Sequence, residues 1–188
     1  MGLRGLLPLA PGSGVQLDAA IFWNEFTGLI EPKFVPAVQA FQFINLTQAR
    51  IRGLEAALDV SALDDRLKLR IGYTLLDAQD QTTDQPLAYR PRHLLLTALD
   101  ARVYGSIDAG LDYRYASRPS RVDSDFVLFV RDADLLVATR VLDLRLSARL
   151  GGFRAGLLLK NALQYYYLER PALLAPPRHL LLQLQADF

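Results

Sequence analysis

From Arg178 to Phe188 the chain alternates without a break. Leu180, Leu182, Leu184, Ala186 and Phe188 fall on one side of an extended chain; Leu181, Gln183, Gln185 and Asp187 fall on the other. Successive side chains of a strand point to opposite faces, so one face of this segment is wholly apolar and the other mostly polar. The same period returns in 67–78, 107–117, 141–151 and 153–163. In 107–117, for example, Ile107, Ala109, Leu111, Tyr113 and Tyr115 oppose Asp108, Gly110, Asp112 and Arg114. A period of two sustained through so many segments specifies a β protein whose strands each lie between two different environments.

Three further strands are less regular. Residues 15–30 are apolar on both faces around Ile21, Phe22 and Trp23, and 93–103 carries Leu94, Leu95 and Leu96 in a row. In 41–60 the alternation slips near Gly53, as a glycine bulge would make it do. The connections alternate in length. Residues 63–66, 104–106 and 151–152 are tight; 31–40, 79–92, 118–138 and 170–177 are long. Short turns at one end and long loops at the other are the pattern of an antiparallel, up-and-down transmembrane β-barrel, with about eight strands here, short periplasmic turns and long extracellular loops. Residues 1–14 read as an irregular N-terminal segment, and 15–188 as a portion of the barrel. The apolar residues, 51% of the chain, are too scattered for a membrane helix, which needs about 20 in succession.

The polar face decides between lipid and a soluble core. Asp108, Asp112, Arg114, Asp143, Arg145 and Arg149 give it dense charge of both signs, with Gly72, Gly110 and Gly156 between. That composition suits a wet, crowded lumen, which places the apolar face against hydrocarbon. Tyr113, Tyr115 and 165–167 cluster at one end of their strands, and Tyr104, Phe153 and Phe188 at the other. Tyrosine favours the membrane interface because one end of it is apolar and the other hydrogen-bonds. A soluble lipid-binding barrel would turn the apolar face inward instead.

Several functions are disfavoured. With 21 basic and 20 acidic residues the net charge is +1, which is no footprint for nucleic acid. The absence of Cys removes thiolate metal sites and cysteine nucleophiles. His93 and His179 each follow a Pro-Arg pair where a strand begins, and no nucleophile motif, phosphate loop or metal-ligand spacing accompanies them. The chain reads as a non-enzyme with no cofactor. Met1 to Gly14 makes a poor export signal, its apolar run being short and broken by Pro8, so a fragment of a larger barrel is expected.

Two stretches carry a family resemblance. One is Asn45-Leu46-Thr47-Gln48-Ala49-Arg50-Ile51-Arg52-Gly53-Leu54-Glu55. The other is Leu159-Lys160-Asn161-Ala162-Leu163-Gln164 with its three tyrosines, then Pro171 and Pro177-Arg178-His179 before the closing strand. In order and spacing they resemble the C-terminal part of the barrel of TonB-dependent outer-membrane receptors. The resemblance implies uptake of a ferric siderophore or similar nutrient across the outer membrane. It implies as partners the outer-membrane lipid, the barrel-assembly machinery reading a terminal signal at Leu182, Leu184 and Phe188, and the remainder of the receptor. That remainder is a plug and the missing strands, with TonB engaged only through the plug. Arg118, Arg121 and Arg131 could attract an anionic chelate; Asp123, Asp125, Asp132 and Asp134 in the same loop leave ordinary solvation open. The alternative is a small self-contained eight-stranded outer-membrane barrel with a structural or adhesive role.

Overall fold

The structure, a computed structural model, describes residues 1–10, 12–122, 137–170 and 173–186. In chain order its strands are β1 (Gly2–Ala10), β2 (Ser13–Val35), β3 (Ala40–Ala62), β4 (Leu67–Asp80), β5 (Gln85–Pro86), β6 (His93–Tyr104), β7 (Ile107–Ala116), β8 (Thr139–Leu150), β9 (Phe153–Lys160), β10 (Leu168–Arg170), β11 (Leu173–Leu174) and β12 (His179–Ala186). Ten of them form one antiparallel sheet in the order β1-β2-β3-β4-β6-β7-β8-β9-β12, with β5 added beside the end of β4. The small β10–β11 pair sits apart. All eight expected strands are present, each bonded to its sequence neighbour.

Three expectations change. Residues 1–14 are not irregular: Gly2–Ala10 pairs along β2, with Arg4 opposite Asp18 and Leu6 opposite Gln16. The stretch 31–40 is not a long loop either. The β2–β3 ladder runs on to Val35 opposite Ala40, and a single 3-10 turn, Pro36–Val38, closes it. Finally, no bulge lies at Gly53, which pairs in unbroken register with Phe22 on one side and Leu76 on the other.

The slip near Gly53 has a different cause. In the lower part of these strands, toward the short turns, Leu17, Ile21 and Leu54 point to one face and stay exposed. Higher up, the same face bears Trp23, Arg52 and Asp77, then Glu25 and Arg50. The opposite face becomes apolar at that height: Ala49 and Ala78 are buried under Leu87, with Leu29, Ile51 and Leu76 packed around them. From Leu54 to Arg50 on β3 and from Leu75 to Gln79 on β4 the pleat keeps its phase; the surroundings of its two faces change.

The sheet curls. One hollow is walled by Leu6 of β1 together with Asp59, Arg70 and Asp100 of β3, β4 and β6; another runs from Asp100 and Asp108 across to Gln183 and Gln185 of β12. Strands that far apart in the sheet order can line one space only on a concave face. The paired registers put Asp100, Asp112, Arg114, Asp143 and Arg145 on that face. Leu144, Leu146, Leu182 and Leu184 therefore lie on the convex face, where Leu182 is 71% exposed. The chain exposes 12919 Å², against about 9,000 Å² for a water-soluble monomer of this mass. Among the described residues β1 and β12 do not pair, so the sheet is open and its two edges carry unpaired backbone groups.

Candidate functional site: the hollow face and its outer mouth

The charges of the concave face are joined to one another. Asp112 and Asp143 stand directly opposite on β7 and β8, an arrangement that like charges disfavour. Each is neutralised from the side. Arg145 Nε lies 3.0 Å from Asp112, and its Nη2 lies 3.0 Å from Asp100. Lys160 Nζ donates to Asp143 Oδ2 at 2.6 Å, Arg114 Nη2 stands 3.6 Å away, and the Asn161 N–H donates to Asp143 Oδ1. Arg145 reaches Asp100, two strands away, by passing over Gly110. A Cβ there would sit 2.9 Å from its Nη2, so the glycine is the gap through which the pair forms.

Four of the six charges singled out from sequence are thus brought together: Asp112, Arg114, Asp143 and Arg145. Asp108 pairs lower down with Arg102 at 3.6 Å. Arg149 lies opposite Arg154 on β9 and has no ion pair among the described residues. Asp100 and Lys160 complete the network. Alternation in 153–163 already puts Lys160 on the polar side with Arg154 and Gly156; Asp100 was hidden because leucines occupy both faces of β6. The Arg145 pairs are half-exposed, and each contributes about 0–1 kcal/mol; Asp143 is buried against its cations, and together the pairs hold four strands in one register. Above them the hollow turns apolar at Ala20, Ala57, Gly72, Leu94 and Leu96.

At the long-loop end, residues 81–92 fold back into the mouth. Leu87 is the anchor, 2% exposed, with its N–H on Ala78 O. Arg90 Nη2 donates to Glu31 at 2.6 Å, and Tyr89 packs edge-on against Phe41, itself edge-on to Phe34. Asp80 accepts from the Thr82 N–H and the Thr83 hydroxyl. Burial pushes its carboxyl up, but the hydrogen bonds from Thr83 and Thr82 together outweigh that and hold it below the ordinary carboxylate value. Of the proposed ligand contacts, Arg118 is exposed and has no ion pair among the described residues. Arg121 is a strut: its Nη1 donates to Pro86 O at 3.1 Å and its carbonyl accepts from the Tyr89 N–H. Arg131 lies outside the described residues, as does Phe188; Leu182 and Leu184 stand exposed on the convex face.

Neither histidine joins a cluster. His93 Nδ1 meets the Tyr73 hydroxyl at 2.8 Å, and His179 Nδ1 meets Pro177 O. Among the described residues no group of side chains is arranged to hold a metal.

Asn161 ties down the last long connection. It is 3% exposed and left-handed at φ 50°. Its Nδ2 donates to Tyr165 O and Pro176 O, and its Oδ1 accepts from the Tyr165 N–H. Asparagine tolerates that backbone region and here satisfies three backbone groups of the connection. Asn161→Ala is expected to cost about 2 kcal/mol, read as a lower urea midpoint and as faster proteolysis within 162–178.

Comparison with known proteins gives a consistent result. A family profile described as "TonB dependent receptor-like, beta-barrel" matches residues 2–161. Among solved structures, a copper transporter superposes with a TM-score of 0.71 at 17% identity, over 93% of this chain and 28% of that one. A ferric enterobactin receptor of Pseudomonas aeruginosa gives 0.69 at 18% identity, over 100% and 30%. A siderophore receptor of Acinetobacter baumannii gives 0.68 at 13%, over 100% and 31%. At such identities the likeness is one of fold, and the chain spans 28–31% of the length of these relatives.

Proposed function

The chain belongs to the TonB-dependent receptor family of the outer membrane, as a segment of its β-barrel, and from that premise we propose that it serves in uptake of an anionic metal chelate of the ferric-siderophore class. The convex leucines meet lipid, and the charged concave face forms part of the wall of a wet lumen. The remainder of the receptor, a plug and further strands, completes the pore, and TonB acts through that plug. The barrel-assembly machinery inserts the whole. The self-contained eight-stranded barrel is the weaker reading, because the described sheet has two free edges.

The observation that carries the ligand class is at the mouth. Lys33, Arg92, Arg118 and Arg121 have no ion pair among the described residues, whereas Glu31 and Asp80, the buried carboxylates there, are already engaged. The aspartates of 123–136 lie outside the described residues. Unneutralised cations around a low-dielectric opening raise the local concentration of an anion and speed its capture. In the assembled receptor, Arg118→Glu should slow association of an anionic ferric chelate by about tenfold at low salt, and less at high salt. Stopped-flow binding checks this. An unchanged rate for the anion, or an equal loss for a neutral chelate, would contradict the reading.

A further inference from the structure

On the convex face, the last aliphatic row is Ile21, Leu54 and Leu75, and the next row up is Trp23, Arg52 and Asp77. Each of these three lies about ten residues above the lower end of its strand, which is the length that crosses a bilayer. The row therefore stands at the outer headgroup level, where Trp is favoured.

Trp23 is flanked by two guanidinium groups, Arg50 Cζ at 4.9 Å and Arg52 Cζ at 5.2 Å from its ring. Carboxylates hold both arginines by one edge. Arg50 Nε donates to Glu25 Oε1 at 2.7 Å, and the Trp23 indole N–H donates to the same oxygen at 2.9 Å. Arg52 is held through Nε and Nη2 by Asp77 Oδ2. Among the described residues, neither terminal nitrogen of Arg50 nor Nη1 of Arg52 has a hydrogen-bond or ion-pair partner. Two oriented guanidinium ends, spaced by a rigid ring and continuous with the lipid-facing band, match the oxygens of a phosphate group.

We infer that Trp23, Arg50 and Arg52 form a binding site for the phosphate of an outer-leaflet lipid headgroup. The aliphatic row beneath receives the acyl chains, and Glu25 and Asp77 fix the arginines without saturating them. This site faces lipid, so it is independent of the ligand proposed for the lumen.

Trp23 is the sole Trp, so intrinsic fluorescence reports on this place alone. The full chain, assembled in phosphatidylcholine bilayers, is titrated with lipid A or with lipid A from which the phosphates have been removed. A saturable change in Trp23 emission with the phosphorylated lipid only is expected. Arg50→Gln with Arg52→Gln should weaken it more than tenfold, at about fivefold per cation. Glu25→Gln frees Arg50 and should tighten binding about fivefold; a purely structural pair would show no gain. Heat-modifiable migration verifies folding, and Glu25→Gln carries the test if the double variant fails to fold. An equal response to both lipids, or no tightening in Glu25→Gln, would overturn the site.

Discussion

Leu144→Arg is expected to lower the stability of the assembled sheet by about 2–4 kcal/mol, the cost of a basic side chain on the lipid face near mid-bilayer. Leu144 lies mid-strand in β8, 37% exposed on the convex side, between Leu111 and Leu159. Ser147→Arg, three residues along, puts the same charge on the hollow face. There it meets water and Asp108, its neighbour on β7, and the expected cost is near zero. Urea unfolding in lipid vesicles compares the two, and the contrast is what matters: a large loss for the first and little for the second. The effect arises because a one-residue step in a strand exchanges hydrocarbon for water.

The second large effect lies where three strands crowd together. A Cβ on Gly53 would come 2.1 Å from the Leu75 carbonyl oxygen and 2.6 Å from Phe22 Cζ. The carbonyl belongs to the β4 backbone and cannot rotate aside as a side chain could. Gly53→Ala should therefore part β3 from β4 and cost about 1–3 kcal/mol, as overpacking does. Phe22→Ala would relieve only the ring contact, leaving most of that loss in the double variant. Gly72→Ala is the control. It lies on the same face of the adjacent strand, where the nearest atom to a new Cβ is Leu96 Cβ at 4.0 Å. That substitution should be neutral, or stabilising by about 0.4–1 kcal/mol through the unfolded chain. Paired melting curves in the same detergent measure both.

The two glycines also show what a sequence can and cannot reveal. Where hydrocarbon and water each keep to one face for a whole strand, as along β7, β8, β9 and β12, alternation was sufficient to identify the strand and its two sides. It failed where a strand leaves the membrane. Above Leu54 the polar residues Arg52 and Arg50 turn outward and Ile51 and Ala49 turn inward under Leu87, so the pattern breaks while the ladder continues. The upper β2–β3 hairpin was invisible for the same reason, with Pro32 and Pro36 adding turn chemistry to a segment that is mostly strand. β1 has Gly2, Gly5 and Pro8 and no clean alternation. It is an edge strand, where proline is tolerated and pairing on one side suffices.

The charged face was legible as a face but not as a network. Parity along each strand placed Asp112, Arg114, Asp143 and Arg145 on one side, yet pairing depends on register between strands, which no single segment encodes. Arg145 finds Asp100 only because Gly110 intervenes on the strand between them. The mouth was harder still. Arg121 read as a ligand contact, and its ties to the backbone of residues 86 and 89 could not be read, because they depend on where two long loops meet.

The leucine face of the sheet meets lipid and the charged face meets water. The chain has no Cys, so single cysteines report on one position each. With the sheet assembled in a bilayer, cysteines at Leu144, Leu146 and Leu182 should resist a membrane-impermeant thiol reagent and be quenched, once labelled, by brominated acyl chains. Cysteines at Ser147, Gly156 and Gln183 should react readily and escape the quencher. The reverse pattern, with the leucine positions open to water and the hollow positions quenched by lipid, would contradict the account.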